Sequence, residues 1–190
     1  MHPDRTLRIQ PPDWVEETVE WKATYPTDED RMRLAIRLAR ENVARRTGGP
    51  FGAAVFRLPE GALVAVGVNS VTRLGNSVLH AEVLAIMLAQ KQVGSFTLDT
   101  PGRGTHALVT SCEPCAMCLG ATLWSGARHL VCGATREDAT ALGFDEGPVF
   151  PESYAYLEAR KIAVVRGVLR KEAAEVLQLY QRSGGEIYNA

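Results

Sequence analysis

Three of the four cysteines, Cys112, Cys115 and Cys118, fall within seven residues, and Cys132 follows. In a reducing compartment, clustered cysteines point to metal or redox chemistry rather than to a disulfide framework. Pro114-Cys115-Ala116-Met117-Cys118 reads as the opening of a helix, where proline is favoured. A CxxC there sets two thiols at the positive end of the helix dipole, which lowers their pKa and readies them for metal. Upstream, residues 78–89 (VLHAEVLAIMLA) are apolar except for His80 and Glu82. Burying an unpaired imidazole or carboxylate costs free energy unless something compensates it. Alone, His80 reads as a core histidine with a satisfied hydrogen bond. Together with the thiols it completes a different pattern: His80, Cys115 and Cys118 are three ligands suited to Zn2+. Three protein ligands leave the fourth tetrahedral position to water, whose pKa falls from ~15.7 to about 7 on zinc. Glu82 is then the nearest group to shuttle that water's protons. A rival reading adds Cys112 to make a closed Cys3His structural site, which leaves Glu82 without a task. An iron–sulfur site would want a cysteine at position 122, where the chain has Thr122.

The elements that carry these residues must meet one condition. Residues i and i+2 of a regular helix point to nearly opposite sides. His80 and Glu82 therefore share a site only if the helix begins at His80, with Leu74–Ser77 (LGNS) as the loop before it. Elsewhere, Thr27 caps a helix with an acidic first turn, and Met32, Ile36, Ala39 and Val43 recur at helical spacing. That helix is expected to stop at Gly48-Gly49, with Arg31, Arg33, Arg37, Arg40, Arg45 and Arg46 on a solvated outer face. Strands over 51–58 and 62–69 flank a Pro59-Glu60-Gly61 turn. There follow a helix over 80–92, a strand over 106–110, a helix over 115–126, a strand over 128–134, a short helix over 136–142, a helix over 151–160, a strand over 162–167 and a last helix over 169–182. Strands alternating with helices predict an α/β sandwich with one sheet between helical layers.

The chain has 190 residues, formal net charge −1, 46% apolar and 23% charged residues, which suits one compact globular domain and excludes disorder, collagen or coiled coil. A balance of 21 basic and 22 acidic residues argues against a dedicated nucleic-acid binder. No apolar run reaches the roughly 18 residues of a membrane span, and the N-terminus lacks the apolar core of a secretory signal. A soluble, cytoplasmic protein is expected. Residues 1–27, Pro-punctuated and carrying Trp14, Trp21 and Tyr25, read as an ordered N-terminal arm ahead of a single domain over 28–190. Cys112 and Cys132 read as buried small residues.

His80-Ala81-Glu82 followed by Pro114-Cys115-Ala116-Met117-Cys118 is the H-x-E…P-C-x-x-C signature of zinc-dependent base deaminases. The chain strongly resembles the cytidine/deoxycytidylate deaminase-like superfamily. The resemblance implies a three-layer α/β/α sandwich with a central mixed five-stranded sheet, and one catalytic Zn2+ held by His80, Cys115 and Cys118. Within the superfamily, GGPFGAAVF, VNSV ahead of HAEVLAI, TSCEPCAMCLGATLWSG and GFDEGP are similar to the bacterial guanine deaminases, as is the closing IYNA. That similarity implies a set of roles. Glu82 takes a proton from the zinc water and returns it to the departing amine. Phe51 stacks on the base, Asn69 reads its edge, and Trp124 walls the pocket. Glu146 grips guanine, with Asp145 a near competitor, and Tyr188 closes over its own or a neighbouring subunit's site. The implied reaction turns guanine into xanthine and ammonia, with aminotriazines such as ammeline as a second substrate class, in a homodimer that binds neither nucleic acid nor membrane. Guanosine, cytosine, cytidine or a tRNA adenosine remain alternative substrates; the near-neutral charge and Phe144-Asp145-Glu146 oppose the tRNA. A structural zinc module without turnover is the alternative of another class. On their own, Phe51 reads equally as strand core, Asn69 as a turn residue and Glu146 as a solvated loop residue.

Overall fold

A computed structural model describes residues 6–189, so the first five residues of the arm, His2 among them, and Ala190 lie outside the described residues. The elements in chain order are α1 (Trp14–Thr18), α2 (Asp28–Ala44), β1 (Gly52–Leu58), β2 (Ala62–Val68), α3 (Val71–Leu74), α4 (Ala81–Val93), β3 (Thr105–Cys112), α5 (Ala116–Ser125), β4 (His129–Ala134), α6 (Arg136–Thr140), α7 (Pro151–Ala159), β5 (Ala163–Val165) and α8 (Arg170–Arg182). The strands form one sheet in the order β2-β1-β3-β4-β5. β1 runs antiparallel to β2 and β3, while β3, β4 and β5 run parallel. The hairpin needs only a short turn; the parallel pairs need helical crossovers.

Side chains alternate across a strand. β1 accordingly sends Ala54 and Phe56 into one core and Ala53 and Val55 into the other. The first core is closed by α1, α2 and α8, the second by α4, α5 and α7. This is the expected three-layer α/β/α sandwich around a mixed five-stranded sheet. No helix among the described residues is long and apolar enough to cross a membrane.

Most predicted boundaries fall close to the observed ones, with instructive exceptions. Thr27 caps α2 by a reciprocal box, its hydroxyl accepting from Asp30 N at 3.1 Å. α2 ends at Ala44 rather than at Gly48-Gly49, because Arg46 already sits in left-handed backbone with φ 54°. Arg31 is not on the solvated face. It is buried, with Nε donating to the Tyr25 carbonyl at 2.8 Å and a second nitrogen to the Pro26 carbonyl at 3.0 Å. The turn leading into α2 presents those carbonyls, and the guanidinium satisfies them. α1 and α3 are too short to show a helical period. α1 nonetheless packs the arm onto the body, with Trp14, Val15 and Val19 in the first core.

Candidate active site

α4 and α5 begin side by side, and their N-cap residues are His80 and Cys115. Both have extended backbone (φ −69°, ψ 158° and φ −65°, ψ 172°), and neither spends its side chain on capping. His80 thus stands just ahead of the helix while Glu82 lies in its first turn, which meets the condition set by their spacing. His80 Nδ1 is 3.5 Å from Cys115 Sγ and 3.5 Å from Cys118 Sγ. The three donor atoms lie within 4.8 Å of one another, and no other such group occurs among the described residues. Tetrahedral zinc with ordinary Zn–N and Zn–S bonds sets nitrogen and sulfur about 3.6 Å apart. The donor set and its spacing therefore fit zinc.

Cys112 does not join it. Its thiol points to the Thr135 carbonyl at 3.6 Å, so the closed Cys3His arrangement does not form. Cys132 is buried in β4.

The two CxxC thiols divide one ionisation between them. The hydrogen bond from Cys118 draws Cys115 down to about 4, and the same bond, with burial, holds Cys118 well above the usual thiol range. Burial opposes a charged His80, but the Cys115 hydrogen bond and the Glu82 charge outweigh it and raise the ring. Glu82 is 6% exposed, and burial followed by the Cys115 charge raises its carboxyl. Thr110 on β3 donates to Glu82 Oε1 at 3.2 Å, and the Cys118 thiol to Oε2 at 3.4 Å. A bound dication reverses much of this logic, favouring both thiolates and the carboxylate.

A cavity of about 240 Å³ opens onto this cluster, lined by Phe51, Asn69, His80, Glu82, Glu146 and Tyr188 among others. Gly48 and Gly49 permit close approach: a Cβ on Gly48 would fall 2.0 Å from the Asn69 carbonyl, and one on Gly49 1.8 Å from the Tyr188 hydroxyl. Asn69 N donates to the Phe51 carbonyl at 3.0 Å, and its side-chain Oδ1 accepts from Val71 N at 3.3 Å. Asn69 Nδ2 and the Tyr188 hydroxyl are close enough for their dipoles to interact, but neither makes a hydrogen bond of normal geometry.

The two acids of the 144–147 loop are placed differently. Glu146 is buried, and burial, then the Cys115 and Glu82 charges, push it up to about 8. Asp145 also lines the cavity but is exposed, its carboxylate accepting from Gly147 N at 2.9 Å. Trp124 is not brought into the cavity of its own chain; it is 80% exposed. α5 buries Cys118, Thr122 and Ser125, one face of the helix, and turns the indole away from it.

Thr110, beside Glu82, and several cavity residues, Glu113, Phe144 and Asn189 among them, had no site role in the sequence. Phe144 lies 5.1 Å from Phe51 and 5.3 Å from Tyr188, ring centre to ring centre, both edge-on. Its place in GFDEGP was the available signal. Asn189 accepts from Asp145 N at 2.9 Å and donates to the Gly143 carbonyl at 2.8 Å, which ties the C-terminal tail over the site.

Residues 26–134 match the family model of the cytidine and deoxycytidylate deaminase zinc-binding region. A guanine deaminase of Bacillus subtilis (strain 168) is 40% identical over 134 residues, 70% of this chain and 81% of that protein. The structure of a guanine deaminase from Nitrosomonas europaea superposes with a TM-score of 0.90 at 41% identity, covering 96% of this chain and all of that one. That of NE0047 in complex with 2,6-diaminopurine does so with a TM-score of 0.90 at 42% identity, covering 97% of each chain. On the matched zinc-binding region and the likeness to these relatives, the chain belongs to the cytidine and deoxycytidylate deaminase family of zinc-dependent hydrolytic enzymes.

Proposed function

We propose that the cavity binds guanine as a free base and hydrolyses it, water and guanine giving xanthine and ammonia. The carrying observation is Glu146, a second buried carboxylate sharing the cavity with Glu82. Guanine bears its amine on C2 beside the N1–H, so one edge offers two kinds of donor. Glu146 accepts those hydrogens and helps move protons to the leaving ammonia. Asn69 supplies an amide donor and acceptor to the base edge, and Phe51 a flat apolar face. Asp145, at the rim, is the secondary acidic contact.

His80, Cys115 and Cys118 would hold the zinc, which when bound acts as a Lewis acid that makes water nucleophilic at neutral pH. Glu82 takes the proton of the attacking water and passes it to the departing amine. Thr110 fixes one carboxylate oxygen and leaves the other toward Cys118 and the cavity. Tyr188 and Asn189 close the cavity from the tail, which favours a free base over a nucleoside and admits an aminotriazine such as ammeline that presents the same edge.

The test is ammonia release from guanine, guanosine, ammeline, adenine, cytosine, cytidine and a tRNA anticodon stem. Guanine is expected to be turned over, with ammeline second; turnover of the tRNA stem alone would overturn the reading. Glu146→Gln is expected to lower kcat/KM for guanine by about 10²-fold, read from steady-state ammonia release.

The reading includes a homodimer. Trp124 (80% exposed), Phe150 (58%) and Tyr156 (54%) leave large apolar surface on α5 and around α7. We place the dimer contact there, since contiguous exposed apolar surface marks association sites. Trp124→Glu is expected to shift the protein from dimer to monomer, measured by light scattering. The four free thiols suit a reducing, cytoplasmic compartment.

A further inference from the structure

We infer that Asn42 is a positioning residue that sets Phe51 and Asn69 relative to each other, and that the N-terminal arm holds it in place through Trp14 and Thr47. The inference rests on the base-binding roles proposed above for Phe51 and Asn69.

Asn42 lies in α2 and is fully buried, outside the set that lines the cavity. Its Nδ2 donates to the Gly49 carbonyl at 2.8 Å and to the Asn69 carbonyl at 2.9 Å. Both amide hydrogens are thus spent on two segments that sequence keeps apart. Those segments are stitched further: Phe51 N donates to the Gly49 carbonyl at 2.9 Å, and Asn69 N to the Phe51 carbonyl at 3.0 Å. Gly48 makes room for the junction, since a Cβ there would fall 2.8 Å from Asn42 Nδ2 as well as on the Asn69 carbonyl.

The amide must face one way for this to hold. Flipped, its oxygen would oppose two carbonyls, with three acceptors and no proton between them. The flip is prevented from the far side. The Thr47 hydroxyl donates to Asn42 Oδ1 at 2.7 Å, and itself accepts from Trp14 Nε1 at 3.0 Å. Trp14 is 6% exposed, packed in the first core with the Arg45 guanidinium over its ring at 5.7 Å. The relay runs from the arm to the base-reading segments with every hydrogen directed the same way. A second tie is independent of it: one Arg73 nitrogen donates to the Gln10 carbonyl of the arm at 2.7 Å and to Ser70 Oγ, next to Asn69, at 3.1 Å. Residues 6–27 are on this account part of the catalytic unit, not an appendage to it.

Phe51 and Asn69 contact the base in the ground state and the transition state alike. Loosening them therefore removes uniform binding, which raises KM and leaves kcat nearly unchanged. Three variants test the relay: Thr47→Val, which keeps shape and removes the hydroxyl; Thr47→Ser, which restores it; and Trp14→Phe, which keeps an apolar ring and removes the N–H. Thr47→Val is expected to raise KM for guanine about fivefold or more, with kcat within about twofold and zinc content unchanged. Trp14→Phe moves it in the same direction, and Thr47→Ser returns it to the wild-type value. Amide exchange at Phe51 and Asn69 should rise about tenfold in Thr47→Val, relative to interior β3 amides. A fall in Tm with KM and exchange both unchanged would show a merely structural role and overturn the inference, as would faster exchange with unchanged KM. A wild-type chain inert on guanine defeats the substrate reading instead, and the relay is then decided by the exchange rates alone.

Discussion

Glu82→Gln is expected to leave the protein folded and zinc-loaded while lowering kcat on guanine by about 10³-fold. The two side chains have the same shape, and the amide oxygen still accepts the Thr110 hydroxyl that now reaches Oε1 at 3.2 Å. What the amide cannot do is take a proton from water and give it to a leaving amine. Stability should not fall. That holds for the zinc-free protein, where Glu82 is buried and burial, with the Cys115 charge, disfavours its ionised form. Saturating-substrate ammonia release, with metal content measured on the same sample, separates the outcomes. Retention of activity within tenfold would remove Glu82 from the proton path and revive a zinc module without turnover.

The parts of this molecule that were legible in the sequence are those encoded by short-range spacing. Strand patterns alternating with capped helices gave the layer order, and the apolar centre of β3, Ala107-Leu108-Val109, fits a strand buried on both faces. The His80–Glu82 interval even carried its own structural condition, a helix starting at the histidine. Facing and partnership were harder to read. Trp124 sits six residues beyond Cys118, and only the packing of α5 decides that the indole faces outward. Arg31 looked like one more cation in a basic run, yet the chain entering α2 supplies it with carbonyls. The path from Trp14 through Thr47 and Asn42 to Asn69 was invisible, since it joins residues 33 and 27 positions apart by single hydrogen bonds and leaves no period. Asp145 and Glu146 were adjacent competitors; the loop buries one and ties the other to Gly147.

Cys118→Ser is expected to abolish stable zinc binding and activity together, whereas Cys112→Ser should keep both. The contrast follows from placement: Cys118 Sγ lies 3.5 Å from His80 Nδ1, while Cys112 faces the Thr135 carbonyl. Stripping the wild-type protein with a chelator should reproduce the first result, and added zinc should reverse it. Metal that binds the folded chain also stabilises it, by about 4 kcal/mol at a thousandfold excess over Kd. For a chain of this size that is roughly 10 °C in Tm. Proton linkage gives a further handle. Zinc takes thiolates, and its neighbour's hydrogen bond together with burial holds the Cys118 proton on well above the usual thiol range, so binding must displace it. Apparent affinity should therefore weaken as pH falls, by about tenfold per unit for each proton released. If Cys112→Ser lost the metal as completely as Cys118→Ser, the site would be a closed four-ligand one. The position left for water would then not exist, and the deaminase reading would fall with it.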